Sequence, residues 1–280
     1  MPSRHNTRST RARHHHPFKL MVRLAGRRWV EMKAFLRAVT RTPPLPRIGL
    51  GLVLFWVGLL AVNWVYHTID KPTELFFPVE NALDKSPRAT WQEYGTLFKE
   101  HSTPTVAPEL LAALAQAEGA GNPVARTYWR WRVSAWNPLE WYQPASTAVG
   151  MFQLTDGTFQ EGKHYCIHNH QVVAEGPWYD FDSCWFNGLY TRVLPSHAIE
   201  LTAVLLDRQV AQAIGNRQAT LEQKQNLAAV IHLCGAGAGH DFVKRKYRLT
   251  THQRCGDHDV RIYLRKIQTL TQQFTSLKAF

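Results

Sequence analysis

The chain has 280 residues, of which 45% are hydrophobic, and a formal net charge of +12. This length allows one or two domains with a sizeable core, and 11% aromatic against 19% charged residues excludes a chain that is disordered throughout. Most of the charge belongs to residues 1–47, which contain twelve Lys and Arg and one acid, a net charge of +11. The remaining 233 residues carry +1, which argues against a partner that is a nucleic acid.

The basic segment, residues 1–47, is predicted to form a cytoplasmic arm with an amphipathic helix. Apolar residues recur in it at alternating spacings of four and three: Phe18, Val22, Ala25, Trp29, Met32, Leu36 and Val39. Arginines lie between them, so the helix is expected to lie on an anionic inner leaflet or, alternatively, against a partner helix.

An uncharged segment follows the basic arm. The nineteen residues from Ile48 to Tyr66 contain no charge, and as a helix they would cover about 28 Å, close to the thickness of the hydrocarbon core. The uncharged stretch continues to Ile69, so residues 48–69 are predicted to be a transmembrane signal anchor. The basic flank places the N-terminus in the cytoplasm and residues 70–280 outside. A buried core helix is the alternative.

All four cysteines lie beyond the predicted anchor, at Cys166, Cys184, Cys234 and Cys255. An even number in an outer compartment favours two disulfides, and of the three possible pairings we expect the local ones, Cys166–Cys184 and Cys234–Cys255. Histidines close by leave zinc as an alternative, but no paired C-x-x-C framework is present, and we expect no metal.

Residues 70–86 are predicted to be a linker and residues 87–280 one mainly α-helical domain with a loop-rich centre. Helix starts are predicted from capping residues and first-turn prolines, at Ser86-Pro87, Pro108, Ser196, Thr220 and Asp257. The first of these helices should end near Phe98 and the second near Gly119. A short strand is predicted at residues 171–174.

Glu118 is the most unusual residue of the predicted domain. It occupies the next position on an apolar stripe formed by Leu111, Leu114 and Ala115 in the second predicted helix. Burial and the dipole at a helix C-terminus both disfavour a charged carboxylate. A carboxyl that holds its proton near neutral pH is what general-acid cleavage of a glycosidic bond requires. The alternative is an ordinary helix end that faces solvent.

Two further segments contain candidate binding residues. In the segment from Ser146 to Thr155, Gly150 permits close backbone approach, and the amide of Gln153 could bind a sugar or else the backbone of a turn. Six large aromatic residues precede it: Tyr128, Trp129, Trp131, Trp136, Trp141 and Tyr142. They could line a sugar-binding cleft, pack over the core or touch the membrane interface.

In chain order, Glu118, Asn122-Pro123-Val124-Ala125 and Ser146-x-x-x-Gly150-Met151-x-Gln153-Leu154 resemble the SLT domain of lytic transglycosylases, a family with a lysozyme-like fold. The resemblance covers roughly residues 92–240 and is densest at 108–159. It implies a lyase that cleaves the MurNAc–GlcNAc β-1,4 bond of peptidoglycan with one acid/base glutamate, forms a 1,6-anhydro product and needs no cofactor. Together with the predicted anchor, this gives an expected inner-membrane enzyme that faces the periplasm. By matching position, Glu118 is the expected acid/base, and Ser146, Gly150, Gln153 and His232 are expected cleft residues.

The chain also departs from the family pattern. Gly119 stands where the family has Ser, His232-Leu233 replaces a Tyr-Asn pair, and the aromatic segment is extra. A second alignment begins at Ser134 and would place Val133 at the catalytic position. The alternative is therefore a non-catalytic peptidoglycan-binding or envelope-assembly protein on a degenerate lysozyme-like domain. Glu140 and Glu161 are weaker catalytic candidates. The expected partners are peptidoglycan glycan strands, the inner membrane and envelope proteins.

Overall fold

The structure, a computed structural model, describes residues 43–132, 137–177, 179–180 and 183–278, together with Trp29, Glu31 and Lys33. The described residues are mainly helical, as the sequence predicted. Their α-helices are α1 (Pro44–Asp70), α2 (Pro87–Glu100), α3 (Pro108–Gly119), α4 (Asp156–Gly162), α5 (Pro195–Ile214), α6 (Leu221–Lys244) and α7 (Val260–Lys278). The chain divides into two compact units, residues 1–62 and residues 63–280. The domain boundaries expected at residues 47, 69 and 86 stay a prediction.

Helix α1 corresponds to the predicted transmembrane segment. Over Pro44–Ile69 it is long and apolar enough to cross a membrane. It begins before residue 48 because Pro44 and Pro46 fall in its first turn, where a backbone N–H group has no intrahelical partner to lose. The amphipathic helix predicted over residues 18–39 lies outside the described residues, except for the three isolated residues given above, which are helical.

Within the described residues, short antiparallel hairpins connect the helices. Strand β1 (Trp129–Trp131) pairs with β2 (Tyr142–Pro144), β3 (Tyr165–His168) with β4 (Gln171–Ala174), and β5 (Arg254–Cys255) with β6 (His258–Asp259). Disulfides join Cys166 in β3 to Cys184, and Cys234 in α6 to Cys255 in β5. These are the two pairs that the sequence predicted, and β4 is the predicted strand.

The core of residues 63–280 is a group of helices packed around α3. Helix α3 contacts α7, α2 and α5, and α5 also packs against α6. Leu114 of α3, Phe98 of α2 and Phe274 of α7 belong to one buried apolar cluster. Every residue from Glu109 to Ala115 is buried, so α3 has no solvent-exposed face over this length.

Two helix starts lie where the capping residues predicted them. The Oγ atom of Ser86 accepts a hydrogen bond from the backbone N–H of Ala89 at 3.3 Å, at the start of α2. Thr220 forms a reciprocal capping box with Gln223 at the start of α6. In both cases the side chain satisfies a backbone donor that the first turn leaves unpaired.

Two other predicted starts are wrong. Helix α5 begins at Pro195, whose fixed φ suits the first helical position, and the Oγ atom of Ser196 lies 2.9 Å from Nε2 of His101 instead of capping the helix. Helix α7 begins at Val260, and its capping carboxylate belongs to Asp259, which accepts the N–H of Ile262 at 3.0 Å. Asp257 lies in the turn between β5 and β6, so it precedes the helix by too many residues to cap it.

The segment predicted as a linker, residues 70–86, contains two 3-10 helices, Pro72–Phe76 and Glu80–Leu83. The side chain of Glu74 is fully buried. Its Oε2 atom accepts hydrogen bonds from Nη1 of Arg126 at 2.9 Å and from Nε1 of Trp129 at 2.7 Å. The Nζ atom of Lys71 lies 3.5 Å from Oε1. Two cations and an indole therefore compensate one buried carboxylate and fix this segment to β1.

We expect Glu74→Gln to lower the free energy of unfolding by about 3–5 kcal/mol, because the neutral amide leaves the charges of Arg126 and Lys71 uncompensated in a buried site. Glu93→Gln is the matched control, since Glu93 pairs with Lys85 near the surface and its loss should change that free energy by less than about 1 kcal/mol. Denaturant unfolding of the full chain in detergent micelles, followed by tryptophan fluorescence, measures both. Equal effects of the two substitutions would contradict the stabilising role of the buried ion cluster.

Candidate active site

Glu118 lies in the last turn of α3 and points toward α7 rather than into open solvent. The helix ends at Gly119, and the next residue, Ala120, caps it in a left-handed conformation with φ 49°. About a fifth of the Glu118 side chain, 19%, is exposed. The hydroxyl of Tyr263 on α7 donates a hydrogen bond to Oε1 of Glu118 at 2.5 Å. The predicted apolar stripe therefore ends on a carboxylate that is partly enclosed and hydrogen-bonded.

Tyr263 supplies a permanent hydrogen-bond donor to this carboxylate. Burial raises the pKa of the Tyr263 phenol well above its usual value, and the negative charge of Glu118 and the hydrogen bond between the two side chains raise it further. The phenol consequently stays protonated over the physiological range. A donor of this kind stabilises the ionised carboxylate whenever it forms.

His232 on α6 is the third member of the group. Its Nε2 atom lies 4.0 Å from Oε1 of Glu118, and only 11% of its side chain is exposed. Burial lowers the pKa of His232, although Glu118 and a hydrogen bond to the backbone of Phe152 oppose that shift. The imidazole is therefore neutral at pH 7.

Two cavities adjoin the Glu118–His232 pair. Glu118 and Tyr263 line one of about 470 Å³, whose other wall includes the β5–β6 hairpin with Asp257 and Asp259. His232 and Gln153 line another of about 260 Å³. Because Glu118 and His232 are 4.0 Å apart, the two cavities are neighbours. The structure thus brings together three of the predicted site residues: Glu118, Gln153 and His232.

Close packing explains why Gly119 follows the candidate acid. A Cβ atom at Gly119 would lie 2.8 Å from Cα of Met151 and 3.1 Å from Cβ of Ala125. Gly150 is equally restricted, since it has φ +80° and a Cβ there would lie 2.4 Å from the carbonyl oxygen of Arg192. The end of α3 can approach Met151 because Gly119 carries no side chain, and the turn at residues 149–154 can approach the backbone of Arg192 because Gly150 carries none.

Gln153 holds that turn rather than presenting its amide nitrogen to a cavity. Its Nε2 atom donates hydrogen bonds to the carbonyl oxygens of Gly150 at 2.9 Å and Ala125 at 3.2 Å. The backbone amide of Gly150 also donates to Ala125, at 2.8 Å. The amide nitrogen of Gln153 therefore binds the backbone of a turn, which is the alternative that the sequence left open.

The other predicted binding residues that the structure describes line neither of these two cavities. Ser146 lines a cavity beside the last turn of α1, and its Oγ atom accepts the N–H of Ala148 at 3.1 Å. Tyr142 packs with the rings of Trp129 and Trp131 at centroid distances of 5.1 and 4.7 Å. Trp141 lies in the same hairpin region, and Trp136 lies outside the described residues.

Sequence reasoning missed Tyr263 and Gly235. Tyr263 follows Val260 by three positions on the apolar face of α7, so a polar-tipped aromatic residue on that face was the available signal. Gly235 interrupts α6 with φ 81° and ψ 169°, a conformation that essentially only glycine adopts. This kink directly follows the turn that carries His232 and Cys234. The one feature of the sequence that could have predicted it is an isolated glycine within a helical pattern.

Comparisons with protein-family models, with curated proteins and with solved structures give no match for this chain.

We expect Gly119→Ala to lower the free energy of unfolding by about 1–3 kcal/mol, because the new methyl group would overlap the backbone of Met151. Gly237→Ala is the control: it lies in α6, where an added Cβ would meet nothing within 4 Å. That change should be neutral or stabilising by about 0.5–1 kcal/mol, since alanine is the better helix former. Urea unfolding of both variants measures the difference. The packing explanation fails if both alanines behave alike.

The buried His232 should make folding sensitive to acid. Its folded pKa lies below the unfolded value, so the unfolded chain binds more protons, and this contribution to stability is lost as the pH falls from about 7.5 through the folded pKa. We expect His232→Asn to reduce the slope of unfolding free energy against pH between about pH 7.5 and about pH 5. Urea titrations at a series of pH values give this slope. An unchanged slope in the variant would mean that His232 titrates alike in the folded and unfolded chains.

Proposed function

We propose that the chain is a membrane-anchored peptidoglycan lytic transglycosylase on a lysozyme-like domain, with Glu118 as the acid/base residue. The observation that carries the proposal is one partly buried carboxylate at the end of an enclosed helix, held by the Tyr263 hydroxyl and lining a cavity beside the one that His232 and Gln153 line. The ordered resemblance to the SLT domain supports the same residue.

In the proposed first step, Glu118 protonates the oxygen that links MurNAc to GlcNAc. The bond from the anomeric carbon of MurNAc to that oxygen then breaks, and GlcNAc leaves with a free 4-hydroxyl group. The Tyr263 hydrogen bond occupies Oε1, which leaves Oε2 of Glu118 for the sugar. Because the phenol of Tyr263 stays protonated, it stabilises the carboxylate that this step produces.

In the proposed second step, the same carboxylate accepts the proton of the MurNAc 6-hydroxyl group. The 6-oxygen bonds to the anomeric carbon and closes the 1,6-anhydro ring, and Glu118 regains its proton. The neutral imidazole of His232 adds no positive charge beside the carboxylate. A second carboxylate, which glycoside hydrolysis normally requires to act on water or sugar, has no part in this route.

Hydrolysis to a reducing sugar is the second candidate, because two acids of the β5–β6 hairpin line the Glu118 cavity. Asp259 accepts the N–H of Ile262 as a helix cap, and this hydrogen bond lowers its pKa. Asp257 is free of that capping role and is the residue that could activate a water molecule in a lysozyme-like reaction.

The proposed location is the inner membrane, with α1 as a single-pass anchor, the N-terminus in the cytoplasm and the candidate site in the periplasm. The basic balance of residues 1–47 supports this orientation. Two disulfides suit an oxidising compartment such as the periplasm. Peptidoglycan strands and envelope proteins are the proposed partners there.

We expect Glu118→Gln to slow the release of 1,6-anhydro-muropeptides from purified sacculi by about 10²–10⁴-fold, the usual contribution of a general acid/base. Glu161→Gln is the matched control, because Glu161 is an exposed acid 3.9 Å from Arg208 and should keep the wild-type rate. Mass spectrometry of the released muropeptides measures both, and unfolding curves verify that the two variants are folded.

Full activity of Glu118→Gln would refute the assignment of the acid/base residue. Absence of any product from the wild-type chain would favour the non-catalytic peptidoglycan-binding protein, and reducing ends in place of anhydro ends would favour hydrolysis with Asp257.

A further inference from the structure

A separate cavity of about 390 Å³ lies beside the last turn of α1, within residues 63–280. Its lining includes Tyr66 and His67 from α1, Lys71 just after it, and Arg130 and Arg132 from the β1 strand region. A volume of this size is within the range of pockets that bind small molecules. Glu118, His232 and Tyr263 do not line it, so it is distinct from the candidate active site.

The hairpin fixes the cavity to the end of α1 by several contacts. The side-chain amide of Asn63 donates a hydrogen bond to the carbonyl oxygen of Leu139, and Nε2 of His67 lies 2.9 Å from the same oxygen. The His67 ring also packs edge-on against Trp129, with centroids 5.3 Å apart. These contacts hold the cavity beside the C-terminal end of α1.

The cavity has an excess of positive charge. Its lining contains four cations, Lys71, Arg130, Arg132 and Arg192, and two acids, Glu140 and Asp156. Arg192 pairs with Asp156 at 2.8 Å, and Lys71 lies 3.5 Å from the buried Glu74. Arg130 and Arg132 are exposed and have no ion-pair partner within the described part of the chain.

Strand geometry explains why those two arginines share a face. Side chains alternate along a strand, so Arg130 and Arg132 point to one side of the hairpin while Trp129 and Trp131 point to the other. Gln143, the register partner of Arg130, lines the cavity as well. One face of the hairpin is thus cationic, and the opposite face is aromatic.

Exposed apolar side chains adjoin this region. Leu75 and Phe77 follow α1 and are 56% and 61% exposed, and Tyr128 and Trp131 are 67% and 64% exposed. The ring of Phe77 lies 4.6 Å from the guanidinium of Arg126, which ties it to the same cluster as β1. Aromatic side chains of this kind are enriched where a protein meets the membrane–water interface.

We infer that the cavity binds the phosphate group of an anionic phospholipid in the leaflet from which α1 emerges. Two unpaired guanidinium groups offer the planar, bidentate donor geometry that suits phosphate oxygens. Free inorganic phosphate shares this chemistry, but the exposed apolar residues beside the cavity favour the lipid as the source. The inference rests on the membrane anchoring by α1 proposed above and is independent of catalysis.

The test is a lipid titration of the full chain in neutral detergent micelles, with the thermal unfolding midpoint, Tm, as the readout. We expect phosphatidylglycerol to raise Tm, whereas phosphatidylcholine and inorganic phosphate leave it nearly unchanged. The double substitution Arg130→Gln/Arg132→Gln should raise the phosphatidylglycerol content needed for half of the effect about thirtyfold, since each basic residue near an anionic lipid surface contributes a factor of about five in affinity.

Arg261→Gln/Arg265→Gln is the charge-matched control, because both arginines are exposed on α7. It should keep the wild-type titration. An equal response of the two double variants would overturn the site, and an equal response to inorganic phosphate would overturn the lipid as its ligand. Glycan cleavage is not measured in this titration, so a negative result does not bear on the proposed transglycosylase activity, which the assay on sacculi tests.

Discussion

The enclosure of helix α3 is the constraint on which the structure of residues 63–280 depends. Its residues from Glu109 to Ala115 are buried, and three other helices, α2, α5 and α7, contact it. A helical segment that is apolar on all sides, as residues 110–115 are, is stable only inside such a cluster. Its last turn therefore lies at the edge of the core, and the carboxylate of Glu118 lies there beside Tyr263.

Glycine residues and a disulfide fix the arrangement of the elements around Glu118. Gly119 allows the end of α3 to touch Met151, and Gly150 allows the turn at residues 149–154 to approach the backbone of Arg192. The kink at Gly235 redirects α6 just after His232. The Cys234–Cys255 disulfide then joins α6 to the β5–β6 hairpin, which forms a wall of the Glu118 cavity. A site held by packing, a glycine kink and a covalent link has the rigidity that positioned proton transfer needs.

Features that depend on neighbours in sequence could be predicted. The starts of α2 and α6 follow from Ser86 and Thr220, the disulfides from the local spacing of the cysteines, and the inward direction of Glu118 from the period of an α-helix. Ser196 and Asp257 gave wrong starts because Pro195 takes the first helical position of α5 and Asp259, which lies closer to α7, supplies the cap of that helix. A residue's preference for the capping position fixes a helix start only when no neighbouring residue suits the start of the helix better.

Features that depend on distant parts of the chain could not be predicted. Tyr263 meets Glu118 across 145 residues, and no spacing in the sequence relates them. Ser146 lies close to the candidate site in sequence, yet the fold places it in the lining of the cavity at the end of α1. The rings of Trp129, Trp131 and Tyr142 pack on one another in the β1–β2 hairpin. The resemblance orders the motifs along the chain, but packing decides which cavity each one lines.

The central claim is that Glu118 cleaves the glycan by intramolecular ring closure. Digestion of purified sacculi by the full chain in ¹⁸O-labelled water, with mass spectrometry of the released muropeptides, tests it most directly. In ring closure, the oxygen that bonds to the anomeric carbon comes from the 6-hydroxyl group of the sugar and not from water, so the account predicts 1,6-anhydro ends without ¹⁸O. Reducing ends that carry ¹⁸O, or no cleavage at all, would contradict it.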